Sequence, residues 1–326
     1  MIERKHYLDK LIRKRGNGLI KVITGIRRCG KSFLLFKIYY DYLVSEGVSK
    51  DNIICLALDE TQKIKYRNPL YLDEYIRGKI TGDGKYYVFL DEIQKVKSVK
   101  NPYLDDVEEK ISFVDVLLGL MKMDNVDVYV TGSNSQMLSS DILTEFRGRS
   151  DEIRVNPLSY KEFYQAYQGD KNKAWREYVT YGGMPFTLSL QSHEDKSEYL
   201  KGLFDKVYLA DVLERRKLVN DKEVLAELLD MVSSSVGSLT NPTKLANTFK
   251  SIKNTSLSAL TIDRYITYMQ QAFILSKVNK YDVKGKKYIN TPYKIYFEDV
   301  GLRNARLDFR QIEETHLMEN IIYNEL

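Results

Sequence analysis

Residues 25–32 read G-x-x-x-x-G-K-S, which is the spacing of a phosphate-binding loop. The glycines let the backbone approach an anion, and the N–H groups of the loop and of the following helix point toward it. We expect Lys31 to contact the β- and γ-phosphates of ATP and Ser32 to ligate Mg²⁺. The predicted nucleotide-binding residues are Gly25, Ile26, Arg27, Arg28, Cys29, Gly30, Lys31, Ser32 and Phe33.

A pair of acids follows a second apolar run. Residues 86–90 are aromatic or aliphatic, and Asp91 and Glu92 come directly after them. Together with the phosphate loop, this is a Walker B pattern, in which Asp91 holds Mg²⁺ and Glu92 acts as general base on the attacking water. The second acid favours hydrolysis over phosphate transfer to another acceptor.

Polar residues follow the next predicted strand, residues 126–131, at the turn Gly-Ser-Asn-Ser. Asn134, or alternatively Ser133, would orient the attacking water beside the γ-phosphate. An ordinary turn is an equally good interpretation of the same four residues.

Two arginines, Arg147 and Arg149, flank a glycine further along. Either arginine would neutralise charge developing on the γ-phosphate, in cis or as a finger offered to a neighbouring subunit. The alternative is a pair of surface arginines that bridge Asp151 or Glu152.

Apolar runs and helical periodicity alternate through the first half, which predicts a parallel sheet flanked by helices. A strand between the loop and the acids along the chain favours the additional-strand class of P-loop ATPases. We expect that strand to lie next to the Asp91 strand, and the Asp59–Glu60 pair after it to be a solvated loop. The predicted strands are 19–24, 53–58, 86–90 and 126–131, and the predicted helices are 31–46, 69–79 and 112–123.

Helices dominate the second half. Ser159 and Glu162 have the spacing of a capping box, long helices are predicted over 194–218 and 221–236, and residues 181–185 suggest a hinge or tight turn.

Helices at 242–250 and 262–272, the second capped by Thr261, are followed by strands at 273–281 and 293–297. This order predicts a winged helix, which either binds DNA or docks a protein. The residues placed to contact phosphates are Arg264, Lys284, Lys286 and Lys287.

Bulk composition limits the class of protein. A chain of 326 residues has room for two or three domains. The net charge of +5 is concentrated late, because residues 241–310 hold nine Lys and four Arg against four Asp and one Glu. Two cysteines without metal-like spacing, no signal peptide and no membrane-length apolar run predict a cytoplasmic protein that does not associate with a membrane.

These motifs, taken in series, resemble those of a family of bacterial and archaeal AAA-type ATPases with a C-terminal region of unknown function. The resemblance implies an AAA+-like core, a helical and winged-helix middle, and a restriction-endonuclease-like C-terminal domain. An insertion at about 95–110 departs from the family. The residues that carry the resemblance are 25–32, 89–94, 131–135, 147–149, 157–163 and 181–185.

The resemblance also implies that the nuclease-like domain begins near Glu319 and is truncated, so we expect no nuclease activity from this chain. The predicted fold class is α/β, a P-loop NTPase of the additional-strand, AAA+-like type followed by a helical region and a winged helix. The predicted domains are the ATPase core (1–157), a helical lid or linker (158–236), the winged helix (237–311) and the start of the nuclease-like domain (312–326).

Three functions remain open from the sequence. The first is an ATPase that couples ATP·Mg²⁺ binding and hydrolysis to movement of the winged-helix region, alone or as a homo-oligomer. The second is a slow nucleotide-gated switch that binds DNA or a protein partner, with hydrolysis as a timer. The third is a small-molecule phosphotransferase, which Glu92 and the lack of an obvious acceptor lid disfavour.

Overall fold

The chain divides into two compact units in the computed structural model. Unit 1 comprises residues 3–25 and 30–155, and unit 2 comprises residues 26–29 and 156–326 together with Ile2. The structure describes residues 2–104, 109–132, 146, 148–205, 212–213, 222–253, 257–279, 292–310, 312 and 314–326.

Unit 1 is built on a five-stranded sheet in which every pair of neighbours is parallel. The spatial order is β2-β3-β6-β1-β7, and a short antiparallel pair, β4–β5, lies outside the sheet. The strands are β1 (Ile20–Thr24), β2 (Ile53–Ala57), β3 (Tyr86–Asp91), β4 (Val99–Lys100), β5 (Lys110–Ile111), β6 (Val126–Thr131) and β7 (Ser150–Arg154).

Near-continuous apolar runs form the central strands because helices cover both faces of a parallel sheet. Every residue of β1, β3 and β6 is buried. β2 pairs with β3, as predicted, but the strand that lies between β1 and β3 in space is β6. That insertion of one strand between the phosphate-loop strand and the acid-bearing strand is the additional-strand arrangement.

Two helices of unit 1 begin directly after a residue whose side chain caps them. Asn68 accepts from the N–H of Leu70 ahead of α3, and Ser112 forms a capping box with Asp115 at the start of α4. The helices are α1 (Lys5–Lys14), α2 (residues 31–45), α3 (Pro69–Lys79) and α4 (Phe113–Met121). Within α2, Leu34–Tyr39 is π-helical, with α-helical Lys31–Phe33 before it and Tyr40–Ser45 after it.

A buried polar network lies toward the N-terminal ends of the strands. The Lys21 ammonium pairs with the carboxylate of Asp127, which also accepts from the Tyr129 hydroxyl at 2.8 Å. The Tyr39 hydroxyl, on α2, is 2.7 Å from that of Tyr129. Burial lowers the pKa of Lys21 and Asp127 opposes that shift. Through the Tyr39–Tyr129 hydrogen bond, the network connects α2 to β6 of the sheet.

Among the residues that the structure describes, unit 2 consists of helices and one antiparallel strand pair, β8–β9. Ser159 and Glu162 form the predicted capping box at the start of its first helix. Its helices are α5 (Tyr160–Ala166), α6 (Lys171–Tyr181), α7 (His193–Leu203), α8 (Lys222–Ser234), α9 (Pro242–Lys253), α10 (Ala259–Gln271), α11 (Val300–Arg306) and α12 (Glu314–Glu325), and its strands are β8 (Leu275–Asn279) and β9 (Tyr293–Phe297).

The segment after α6 crosses the start of α11 at very short range. The fully buried Asp299 caps α11 by accepting from the N–H of Leu302 at 3.0 Å, and it accepts from the N–H of Gly183 at 2.7 Å. A Cβ on Gly183 would lie 2.1 Å from the carbonyl oxygen of Leu158. Residues 181–185, expected to form a hinge or tight turn, are therefore the packing site for α11.

Helix α12 packs as part of unit 2. Leu317 and Ile321 are buried in a cluster with residues of α5, α6 and α11. Asn320 donates to the carbonyl of Phe297 and accepts from its N–H, both at 2.8 Å, so it mimics a neighbouring strand beside β9. The segment 312–326, expected to begin another domain, thus contributes to this core.

One predicted cap is wrong. Ser258, three residues before Thr261, caps α10 and accepts from the N–H of Thr261 at 3.0 Å. The helix therefore begins at Ala259. Within the described part of the chain, no helix is both long enough and apolar enough to cross a bilayer.

Candidate nucleotide-binding site

The phosphate loop leaves the carboxyl end of β1 in a backbone conformation that suits its glycines. Gly25 has φ 134° and Gly30 has φ 102°, both in the region that L side chains rarely adopt. Arg28 also has positive φ, 64°, and its side chain is exposed, whereas Cys29 is fully buried. The loop's shape therefore depends on the glycines that define the motif.

Helix α2 begins directly after the loop. Lys31 is its first residue and is buried, and its ammonium donates to the carbonyl of Gly25 at 2.9 Å, across the mouth of the loop. Ser32 and Phe33 are exposed on the first turn, and Phe33 is 48% exposed. A helix N-terminus, a lysine and a serine hydroxyl thus lie within four residues of one another, as a triphosphate with its metal requires.

The acids lie at the same end of the sheet as the loop. Asp91 is the buried last residue of β3, and its carboxylate accepts a hydrogen bond from the hydroxyl of Thr131, the last residue of β6. The backbone N–H of Glu92 donates to the same hydroxyl oxygen at 3.3 Å. Thr131 also pairs in register with Ile23 of β1, so it lies between the loop strand and the acid strand.

Thr131 was not among the site residues predicted from the sequence, although it belongs to the segment 131–135 that carries the family resemblance. A signal for it existed, because it is the last residue of a predicted strand and the carboxyl ends of parallel strands share an edge. Its position beside Asp91 depends on β6 lying next to β3, which the sequence alone does not specify.

Glu92 has φ 52°, a left-handed conformation that is uncommon for a residue with a side chain. Its carboxylate accepts a hydrogen bond from the side-chain amide of Gln94. Strained backbone of this kind concentrates at functional sites. Here it turns Glu92 away from the direction of β3 and toward Gln94.

The residues present fit ATP·Mg²⁺. Mg²⁺ is usually held by one or two protein oxygens together with phosphate oxygens, and Asp91 and Ser32 supply a carboxylate and a hydroxyl. Lys31 and the N-terminus of α2 supply positive charge for the phosphates. Bound Mg²⁺ would neutralise phosphate charge and orient the γ-phosphate for attack.

Asp59 and Glu60, which follow β2, are exposed, as predicted for a solvated loop. The end of β2 is nevertheless joined to the site, because the N–H of Leu58 donates to the carbonyl of Asp91 at 3.1 Å. Arg67 donates to the carbonyl oxygens of Leu58, at 2.8 Å, and of Asp59, at 3.0 Å.

Arg149 lies at the other end of the sheet from the phosphate loop. β7 is parallel to β1 with Ser150 opposite Ile20, so Arg149 precedes the strand at its N-terminal end. Asp151 is paired with Lys14 at 2.7 Å, and Glu152 accepts from Thr24 at 2.8 Å. About five residues of extended strand therefore separate Arg149 from the phosphate loop of its own chain, which does not favour a role in cis. Asp151 and Glu152, the two acids that Arg149 was expected to bridge, have the other partners named above. The side chain of Arg149 is exposed.

Several predicted residues lie outside the described part of the chain: Ser133, Asn134, Arg147, Lys284, Lys286 and Lys287. Arg264 is described and is exposed on α10.

Comparisons with known proteins identify the family of the chain. An AAA domain matches residues 17–164, and a domain of unknown function (DUF8612) matches residues 172–313. An uncharacterized protein of Haemophilus influenzae is 32% identical over 331 residues, covering 100% of this chain and 78% of that protein. The chain belongs to the AAA+ ATPase family. The match confirms the resemblance inferred from the motifs, including a C-terminal region of unknown function.

More distant relatives extend the comparison. An uncharacterized protein of Methanocaldococcus jannaschii is 27% identical over 330 residues, covering 94% of this AAA+ chain and 66% of that protein, so the chain spans just under two thirds of it. Among solved structures, Cdc6p from Pyrobaculum aerophilum shares 13% identity with a TM-score of 0.38, covering 98% of this chain and 94% of that chain. AMPPCP-bound DnaA from Aquifex aeolicus shares 13% identity with a TM-score of 0.35, covering 81% and 85%.

Proposed function

We propose that this AAA+ protein binds ATP·Mg²⁺ at the phosphate loop and hydrolyses it. The observation that carries the proposal is the position of Thr131. This residue ends β6, the strand between the loop strand and the acid strand, and its hydroxyl contacts both Asp91 and Glu92. In this arrangement Lys31 and the start of α2 hold the phosphates, Asp91 and Ser32 hold the metal, and Glu92 accepts a proton from water.

Hydrolysis, in this proposal, changes the placement of unit 2 relative to unit 1. Arg149 serves a neighbouring copy, because it is exposed and lies at the opposite end of the sheet from its own loop. Asn134 remains the proposed water-orienting residue, and Arg147 remains a proposed charge-neutralising residue. A winged helix over 237–311 that contacts DNA remains a proposal as well, with Arg264, Lys284, Lys286 and Lys287 as its contacts.

The decisive experiment separates binding from turnover. We expect Lys31→Ala to abolish binding of a fluorescent ATP analogue. Glu92→Gln should bind the analogue normally but release phosphate roughly 10²- to 10⁴-fold more slowly, the usual contribution of a general base. Glu60→Gln is the matched control, because it removes the second acid of the Asp-Glu pair that follows the neighbouring strand. Full turnover in Glu92→Gln would contradict the proposal.

One contact favours the slow-switch alternative. The amide of Gln94 holds the carboxylate of Glu92, and a base engaged in this way is less available to water. If this contact limits turnover, Gln94→Ala should raise the basal rate of phosphate release without changing ATP affinity. A lower rate in Gln94→Ala would show instead that Gln94 orients Glu92 productively.

A further inference from the structure

A groove lined by tyrosines and lysines lies on unit 1, away from the phosphate loop in sequence. It is formed between the Thr61–Arg67 3₁₀ helix and α3, and it is an open groove of about 450 Å³. That volume is in the range of small-ligand sites. The side chains that line it are those of Lys65, Tyr66, Tyr71, Glu74, Tyr75 and Lys79.

The three tyrosines that line the groove, Tyr66, Tyr71 and Tyr75, differ in how far they are exposed to solvent. Tyr66 is buried and its ring centroid lies 4.5 Å from that of Tyr75, with the planes tilted by 44°. Tyr71 is 55% exposed, so about half of its surface faces solvent. Packing within unit 1 thus accounts for Tyr66, but it leaves Tyr71 free to stack on an incoming ring.

Positive charge lies beside the rings. The Lys65 ammonium is 4.9 Å from the centroid of Tyr66, and the Lys79 ammonium is 5.9 Å from that of Tyr75. Both lysines are exposed, and the other cation of this part of α3, Arg77, is already paired with Asp73 at 2.8 Å. Among the described residues that line the groove, Glu74 is the single acid, so the groove carries net positive charge.

From this juxtaposition we propose that the groove binds single-stranded nucleic acid. Bases stack on Tyr71 and Tyr75, and the phosphates between them pair with Lys65 and Lys79. Aromatic faces alternating with lysines are the means by which proteins hold single strands without reading sequence, because every base has a π face. An acidic peptide would use the lysines but gain little from the exposed ring of Tyr71. The site is distinct from the nucleotide site and from the proposed winged helix.

The test is fluorescence anisotropy of a labelled 20-nucleotide oligo(dT) with the full chain, without ATP, over a salt series. We expect Tyr71→Ala to weaken binding roughly 5- to 150-fold, the usual effect of losing one stacked base. Lys79→Ala should lower the slope of log affinity against log salt by about 0.7. Both residues are exposed, so the variants should fold.

Matched controls make the result specific. Tyr103→Ala removes a tyrosine that is 84% exposed elsewhere on unit 1, and Lys50→Ala removes an exposed lysine beside β2. Both should bind like the wild type. The proposal is overturned if the wild type fails to bind at low salt, if Tyr71→Ala binds as tightly as Tyr103→Ala, or if Arg264→Ala alone abolishes binding. Because ATP is absent, the outcome does not depend on the proposed hydrolysis.

Discussion

The hydroxyl of Thr131 donates a hydrogen bond to the carboxylate of Asp91 across two neighbouring strands. The same oxygen accepts from the backbone N–H of Glu92, which has a left-handed backbone. One side chain therefore orients the proposed metal ligand and braces the backbone of the proposed base.

We expect Thr131→Val, which keeps the shape but loses the hydroxyl, to reduce phosphate release by roughly 10- to 100-fold, since misplaced catalytic groups are costly. Affinity for an ATP analogue should change far less. Thr131→Ser should restore turnover, because it restores the donor. Steady-state phosphate release and analogue binding would be measured side by side. Equal turnover in the valine and serine variants would contradict a positioning role.

Arg149 gives a prediction about assembly. Arg149→Ala and Glu92→Gln should each hydrolyse ATP poorly. If Arg149 acts on a neighbour's site, mixing the two variants should restore activity, because a Glu92→Gln subunit donates its arginine to a subunit that keeps Glu92. Phosphate release by the equimolar mixture is the measurement. Activity no greater than the mean of the separate variants would exclude the trans role under those conditions.

The crossing of Gly183 with Leu158 predicts a large stability effect. Gly183→Ala would place a methyl group against a backbone carbonyl, and we expect it to lower the free energy of unfolding by about 3 kcal/mol or more. Gly202→Ala is the control, because its Cβ would meet nothing within 4 Å and helix α7 would gain from the alanine. Urea unfolding can be followed by Trp175, the single tryptophan of the chain, which lies in unit 2. Similar midpoints for the two variants would refute the close crossing.

Burial raises the pKa of Asp299 to about 6, although the N–H groups of Gly183, Leu302 and Gly301 oppose the shift. The folded state therefore holds this proton more tightly than the unfolded chain, and stability is lost as the pH rises from about 4 to 6. We expect unit 2 to gain about 1 kcal/mol between pH 7 and pH 5. The Asp299→Asn variant should be less stable overall, but its stability should lack the pH-dependent gain that protonation of Asp299 gives the wild type. Parallel pH curves for the two proteins, followed by Trp175 fluorescence, would contradict the assignment.

Local patterns predicted much of unit 1. The predicted helix 69–79 and the predicted strand 126–131 match α3 and β6 to the residue, because periodicity within an element is a local signal. The cap of α10 was misplaced because Ser258 and Thr261 are both good capping residues and only hydrogen bonding distinguishes them.

Contacts between distant residues could not be predicted in this way. Asp299 and Gly183 are 116 positions apart, and neither residue indicates the other in the sequence. Likewise, Lys21 and Asp127 sit in strands predicted correctly, yet their pairing depends on strand order.

The packing of α12 limits where this protein can be truncated. An expression fragment ending at residue 311 would expose the apolar side chains that Leu317 and Ile321 cover, and would leave the peptide group of Phe297 without its Asn320 partner. Such a fragment should aggregate. A C-terminal boundary at or beyond residue 325 keeps these contacts, so the phenotypes of deletions that end earlier would include misfolding of unit 2.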